Sequence, residues 1–172
     1  MATIPLFELS VNLADGSGLT KTARANRDAL IKAYRARLDG DAQALLSLLH
    51  PQVRFYDSSQ LPYGREYRGL NGVVEGIKQL FSFWEKTEIE MTEFLAGGDL
   101  VMAYLQFRAT TRDTGQLFDS PGGALYRFVD GKIIEWRTFF WNVHLIHEIF
   151  VRQQHPPVGA VGAMPAEAHL PH

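Results

Sequence analysis

The 172 residues suit one domain with a substantial core, and the lack of cysteine excludes a disulfide framework, a thiol nucleophile and a thiolate metal site. Lys and Arg number 17 against 19 Asp and Glu, a net charge of −2 that argues against a nucleic-acid partner. No apolar run is long enough for a membrane span, so a soluble, cytoplasmic chain is expected, and the 46% apolar and 12% aromatic content excludes disorder.

Ile4 to Leu13 alternates loosely and reads as a short edge strand, broken by Asp15-Gly16-Ser17-Gly18. Residues 1–25 are expected as an extension and 26–153 as the main domain. A helix is predicted from Asn26 as N-cap, with Leu30, Tyr34 and Leu38 as its buried stripe and Gly40 as its stop. Asp41 caps a second helix with Leu45, Leu48 and Leu49 inward, ended by Pro51. Gln52 to Asp57 reads as a strand. Tyr67-Arg68-Gly69-Leu70-Asn71-Gly72 leads into a third helix, with Val74, Ile77, Phe81 and Trp84 as its inner face. Thereafter the period falls to two, predicting strands at Thr87–Leu95, Leu100–Arg112, Gly122–Val129 and Lys132–Asn142, with hairpin turns at Gly97-Gly98-Asp99 and Asp130-Gly131. A short helix is expected over Val143–Gln153. Residues 154–172, rich in Pro, Ala, Gly and His, read as an aperiodic tail. Helices followed by antiparallel strands make an α+β layout in which three N-terminal helices cover a curved, mainly antiparallel sheet and leave a concave pocket.

On the first clear strand Val53, Phe55 and Asp57 share one face, so a carboxylate continues an apolar row. Desolvation raises the pKa of such a group and suits it to work as a general base; the alternative is that Asp57-Ser58-Ser59 is simply a turn. Tyr34 sits in a buried stripe, where its hydroxyl needs a ligand or a neighbouring acceptor. Gly122, Ala124, Tyr126 and Phe128 share one strand face, and Ile134, Trp136, Thr138 and Phe140 share another. With Phe55, Phe81 and Trp84 they would line an apolar site, though any buried sheet face has this composition. Glu135, Arg137, Phe139 and Trp141 on the opposite face read as a homodimer interface. His144, His147 and Glu148 lie within one helical turn but do not form His-Glu-x-x-His and have no third ligand nearby, so no metal is expected. Gly122-Gly123 lacks the Lys of a phosphate loop, and no serine sits in Gly-x-Ser-x-Gly.

Several segments follow one another in a recognisable order: Asn26-Arg27-Asp28 through Tyr34, Leu38-Asp39-Gly40-Asp41, His50-Pro51, Val53-Arg54-Phe55-Tyr56-Asp57, and Tyr67-Arg68-Gly69 with Val73-Val74-Glu75-Gly76-Ile77. Tyr126-Arg127-Phe128-Val129-Asp130-Gly131-Lys132-Ile133 with Trp136-Arg137 completes the set. From Asn26 to Asn142 the chain resembles the SnoaL-like polyketide cyclases and ketosteroid isomerases of the nuclear transport factor 2-like superfamily. The resemblance implies a cone-shaped α+β barrel, a fold that hosts isomerases, cyclases, dehydratases, epoxide hydrolases and non-catalytic binders. It places Tyr34 at the position of the oxyanion-binding tyrosine of ketosteroid isomerases and Asp57 at that of their proton-shuttling carboxylate. Ala124 stands where those enzymes keep a protonated aspartic acid. Loss of one oxyanion donor typically costs ~10²–10³ in rate, which argues against a steroid isomerase. Leu105, Phe107 and Thr138 stand where limonene-epoxide hydrolases keep their carboxylate and arginine, which disfavours epoxide hydrolysis. The implied function is cofactor-independent proton transfer beside a carbonyl of a hydrophobic small molecule, giving isomerisation, cyclisation or dehydration. Asp57 and Tyr34 would be catalytic, and the loop Ser58 to Arg68 a lid. The rival expectation is a non-catalytic ligand-binding or dimerisation module.

Overall fold

The computed structural model describes residues 19–154 apart from 42, 59, 60 and 62. The strand expected over Ile4–Leu13 and the tail beyond Gln154 lie outside the described residues. The first helix, α1 (Lys21–Leu38), starts earlier than expected because the Thr20 side chain accepts a hydrogen bond from the Ala23 N–H at 3.1 Å. Its buried residues are Ala23, Asn26, Leu30 and Ala33, at helical spacing. Asn26 is therefore an interior residue rather than the cap, and Leu38, expected inward, is 84% exposed.

Asp41 caps α2 (Gln43–Ser47) as expected, its carboxylate accepting from the N–H groups of Gln43 and Ala44. Pro51 does not end this helix. It lies inside β1 (Leu49–Tyr56), in the gap between the paired residues Leu49 and Arg54, where no ladder donor is required. After β2 (Glu66–Arg68) comes α3 (Gly69–Ser82). Its fully buried residues are Val73 and Gly76, while Ile77 of the expected inner face is half-buried and packed against the core. Gly76 is required by packing, since a Cβ there would meet the rings of Tyr67 and Phe55 at 2.8–3.0 Å.

The remaining strands are β3 (Trp84–Gly97), β4 (Leu100–Thr111), β5 (Leu117–Val129) and β6 (Lys132–Phe140), followed by α4 (Val143–Gln154). They form an open six-stranded sheet of order β2-β1-β6-β5-β4-β3, in which only the β1/β6 pair is parallel. Both expected hairpins are present; the first closes with Gly97 paired to Leu100, so each turn has two residues, with Gly98 at φ 58°, Asp130 at 50° and Gly131 at 73°. β5 begins five residues before the expected Gly122, because Pro121 pairs opposite Gln106 and offers its carbonyl to the Trp141 N–H at 3.0 Å. The register shift between Arg127 and Phe128 puts a bulge in β6, which turns Ile133 into the core and displaces Ile134 from the inner row expected for it. The Asn142 side chain caps α4 rather than extending β6.

The helices α1, α2 and α3 lie over the concave side of the sheet, with α1 packed on α2, β3 and β4, and α3 on β1, β2 and β3. The core runs beneath them. Trp84, at the start of β3, closes one end of it against Phe107 and Phe118, with ring centroids 5.7 and 5.8 Å away.

Candidate active site

A cavity of about 670 Å³ separates the helices from the sheet, within the size range of small-molecule sites. The α1 residues on it are Ile31, Tyr34, Arg35, Arg37 and Leu38; α3 contributes Ile77, Leu80 and Phe81. Inward-facing strand residues complete it, among them Phe55, Ala124, Tyr126, Trp136, Thr138 and Phe140. Of the wall residues expected from sequence, Phe55, Phe81, Ala124, Tyr126, Trp136, Thr138 and Phe140 are on this surface, Gly122, Phe128 and Ile134 are not, and Trp84 is buried with Phe107 and Phe118 instead. Trp84 falls past the end of α3, so helical spacing from Phe81 did not apply to it. Sequence reasoning missed Ile89, Met91 and Phe94 of β3. Their signal was the alternation of Thr87, Ile89 and Met91 with Glu88 and Glu90.

Tyr34 and Tyr126 meet in this cavity with their hydroxyl oxygens 2.5 Å apart and their rings edge to face. Tyr34 therefore finds another phenol as its partner rather than a backbone carbonyl. Burial pushes its pKa up to about 12, against the bond to Tyr126 and the positive charge of Arg37, which both pull it down. Burial likewise holds Tyr126 well above the ordinary tyrosine range. Both groups are thus protonated at neutral pH. Two hydroxyls carry two protons, and their mutual bond uses one of them. The second remains available to a ligand oxygen.

Asp57 ends the β1 row, buried to 6% exposure, and continues the face of Val53 and Phe55. Its Oδ1 accepts from the Ser58 N–H at 2.8 Å and from the Thr138 hydroxyl at 2.6 Å. The first bond is local to the turn, and the second ties the carboxylate to the sheet. Desolvation pushes the Asp57 pKa up, while the bonds from Thr138 and Ser58 oppose it. The Oδ2 atom accepts no hydrogen bond from the described residues. Asp57 does not itself line the large cavity. It lines an adjoining cleft of about 390 Å³ with Tyr56, Ser58, Arg137 and Val143, and Thr138 and Phe140 form the wall common to both spaces. The hydroxyl of Thr138 is therefore the polar group that connects Asp57 to the cavity containing the tyrosine pair.

Within the loop expected as a lid, the described residues Leu61 and Tyr63 are anchored: both are buried in the core, and the Tyr67 hydroxyl donates to the Tyr63 carbonyl at 2.6 Å. On the outer sheet face Arg137 stacks over Tyr56, 4.2 Å from its centroid, and its Nε bonds Glu135 at 2.6 Å. Phe139 and Trp141 beside it are 48% and 86% exposed. His144 Nε2 lies 3.1 Å from Glu148, an ordinary helical pair.

The helices over a curved, unclosed sheet, with the cavity between them, define the α+β fold of the nuclear-transport-factor-2-like proteins. Residues 30–136 match the SnoaL-like domain, and the chain belongs to that family. Among solved structures it is similar to a protein of Jannaschia sp. CCS1 described as a SnoaL-like polyketide cyclase, at 18% identity and TM-score 0.65 over 76% of this chain and 95% of that one. An NTF2-like protein of Burkholderia thailandensis E264 is similar at 20% identity and TM-score 0.67, over 73% and 96% of the two chains. TerC, crystallised with polyporic acid, matches at 22% identity and TM-score 0.62 over 72% and 98%. These likenesses are of fold. No curated protein matches the sequence.

Proposed function

We propose that this protein binds a hydrophobic, carbonyl-bearing small molecule in the large cavity and moves a proton at the carbon beside that carbonyl. The observation that carries the reading is the Asp57–Thr138 bond at the wall between the two spaces, because it links a buried carboxylate of raised pKa to the ligand cavity. In this mechanism the substrate carbonyl accepts a hydrogen bond from the free O–H of the Tyr34–Tyr126 pair. The proton on the adjacent carbon passes to Thr138 Oγ1 as the Thr138 proton passes to Asp57, and the enolate oxygen is held by Tyr34. Return of the proton to another carbon gives isomerisation; attack of the enolate on a second carbonyl gives ring closure. No cofactor takes part. The names of relatives in the same fold, a polyketide cyclase among them, are consistent with carbonyl substrates.

A second reading, a non-catalytic ligand-binding module, is favoured by one fact: Asp57 lies outside the large cavity and already accepts two hydrogen bonds. Both readings include a homodimer through the outer sheet face around Arg137, Phe139 and Trp141, because exposed rings on a sheet favour a partner. Deuterium exchange from solvent into cyclic and polycyclic ketones separates the two. The enzyme reading expects exchange that Asp57→Asn abolishes. Ligand binding with no exchange in the native protein would leave the binding module.

A further inference from the structure

The charged part of the cavity surface is one-sided. Arg35 and Arg37, both from the last turn of α1, line it, and among the described residues no Asp or Glu does. Among the described residues neither side chain forms an ion pair or a hydrogen bond, whereas Arg27, Arg54, Arg65, Arg68, Arg108, Arg127 and Arg137 are all paired with carboxylates. Both are exposed, which puts their guanidinium groups at the mouth while Phe81, Met91, Phe94 and Phe140 make the walls apolar. The charge of Arg37 is felt inside, since it pulls down the Tyr34 pKa against burial. Helix-end arginines also offset the helix dipole, but that role needs no particular cavity beside them.

We propose that the ligand of this cavity is an amphipathic organic anion, with an apolar ring system between the helices and the sheet and an ionised acidic group at the mouth paired with Arg35 and Arg37. Unpaired guanidinium groups match a carboxylate or an ionised enol in geometry as well as charge. An apolar wall that carries no negative charge imposes no repulsion on such a molecule. A neutral ligand of the same shape would gain the walls and forgo the pairing, so the arginines set the charge class while the interior sets the shape. This inference rests on the large cavity being the ligand site and does not require catalysis there.

The test uses two fluorescent probes of one shape, anilinonaphthalene sulfonate and its uncharged parent N-phenylnaphthylamine, titrated into the full chain. The sulfonate is expected to bind about tenfold or more tightly than the neutral probe, the factor for one charge-assisted contact. Replacing Arg35→Gln and Arg37→Gln together should erase that preference and leave the neutral probe within about twofold, with an unchanged near-ultraviolet dichroism spectrum as the control for folding. Raising salt from about 20 to 500 mM should weaken only the sulfonate, as screening of an exposed pair requires. Equal affinity for the two probes in the native protein, or a preference that survives the double substitution, overturns the anion proposal alone. A Met91→Trp variant, which fills the cavity, separates the two levels: if it leaves both probes bound, or if neither probe binds the native protein, the reading of the cavity as ligand site falls and the anion proposal falls with it. Loss of deuterium exchange would not affect the outcome, because charge preference is read from binding alone.

Discussion

Thr138→Val tests the connection between the two spaces, since valine copies the shape of threonine and deletes only the hydroxyl that reaches Asp57 Oδ1 at 2.6 Å. Burial raises the Asp57 pKa in the folded protein above its value in the unfolded chain. Between those two values the native state holds more protons than the unfolded state, so stability falls as pH rises through that window. The hydroxyl of Thr138 limits the fall by stabilising the ionised form. Below the window Asp57 is protonated in both states, and the variant loses an ordinary hydrogen bond worth about 0.5–1.5 kcal/mol. Above it the lost bond is charge-assisted and costs about 1.5–3 kcal/mol, because a buried carboxylate is left with only the Ser58 N–H. The substitution should therefore be more destabilising at high pH than at low pH, by about 1 kcal/mol or more. Urea denaturation of both proteins at about pH 3.5 and at pH 8 measures the difference directly. An equal loss at the two pH values would refute the reasoning, since it would mean that Thr138 does not distinguish the two forms of Asp57.

Tyr34→Phe removes the hydroxyl that holds the enolate oxygen and leaves Tyr126 as the one phenol of the pair, so turnover or exchange should fall by ~10²–10³ while ligand affinity changes little; an unaffected rate would exclude Tyr34 as the enolate donor. Gly122→Ala places a Cβ 2.5 Å from the Phe139 carbonyl oxygen, and overpacking against backbone should cost about 1–3 kcal/mol in a urea titration. No loss there would mean that β5 and β6 separate freely. Trp141→Glu puts a charge on the most exposed ring of the outer face and should convert a dimer into a monomer in light scattering at micromolar concentration, whereas a monomeric native protein would contradict the interface.

Alternation placed Asp57 beside Val53 and Phe55 correctly, because a strand presents every second residue to one side whatever lies around it. The turns at Gly98-Asp99 and Asp130-Gly131 were equally legible, since few residues accept positive φ. Hydropathy hid the start of α1, whose inward face opens with Ala23 and Asn26, too small or too polar to mark a stripe. It also hid the ends of β5 and β6, where Pro121 pairs within the sheet and a bulge moves Ile134 out of its row. The division of the site into two spaces, with Thr138 between Asp57 and the tyrosine pair, depends on the positions of α4 and β1 around the end of β6. No local pattern encodes it. Tyr126 was read as apolar wall because nothing in its neighbourhood along the chain announces a partner 92 residues away.

The most direct measurement of the central claim is the pH dependence of deuterium incorporation into a bound ketone, set beside the titration of the Asp57 carboxylate followed by carbon-13 resonance. The account predicts that exchange rises with pH as Asp57 ionises. It predicts that both curves share one midpoint above the ordinary carboxylate range, and that Asp57→Asn removes exchange while the ligand still binds. Exchange that is flat with pH, or that persists in Asp57→Asn, would contradict it.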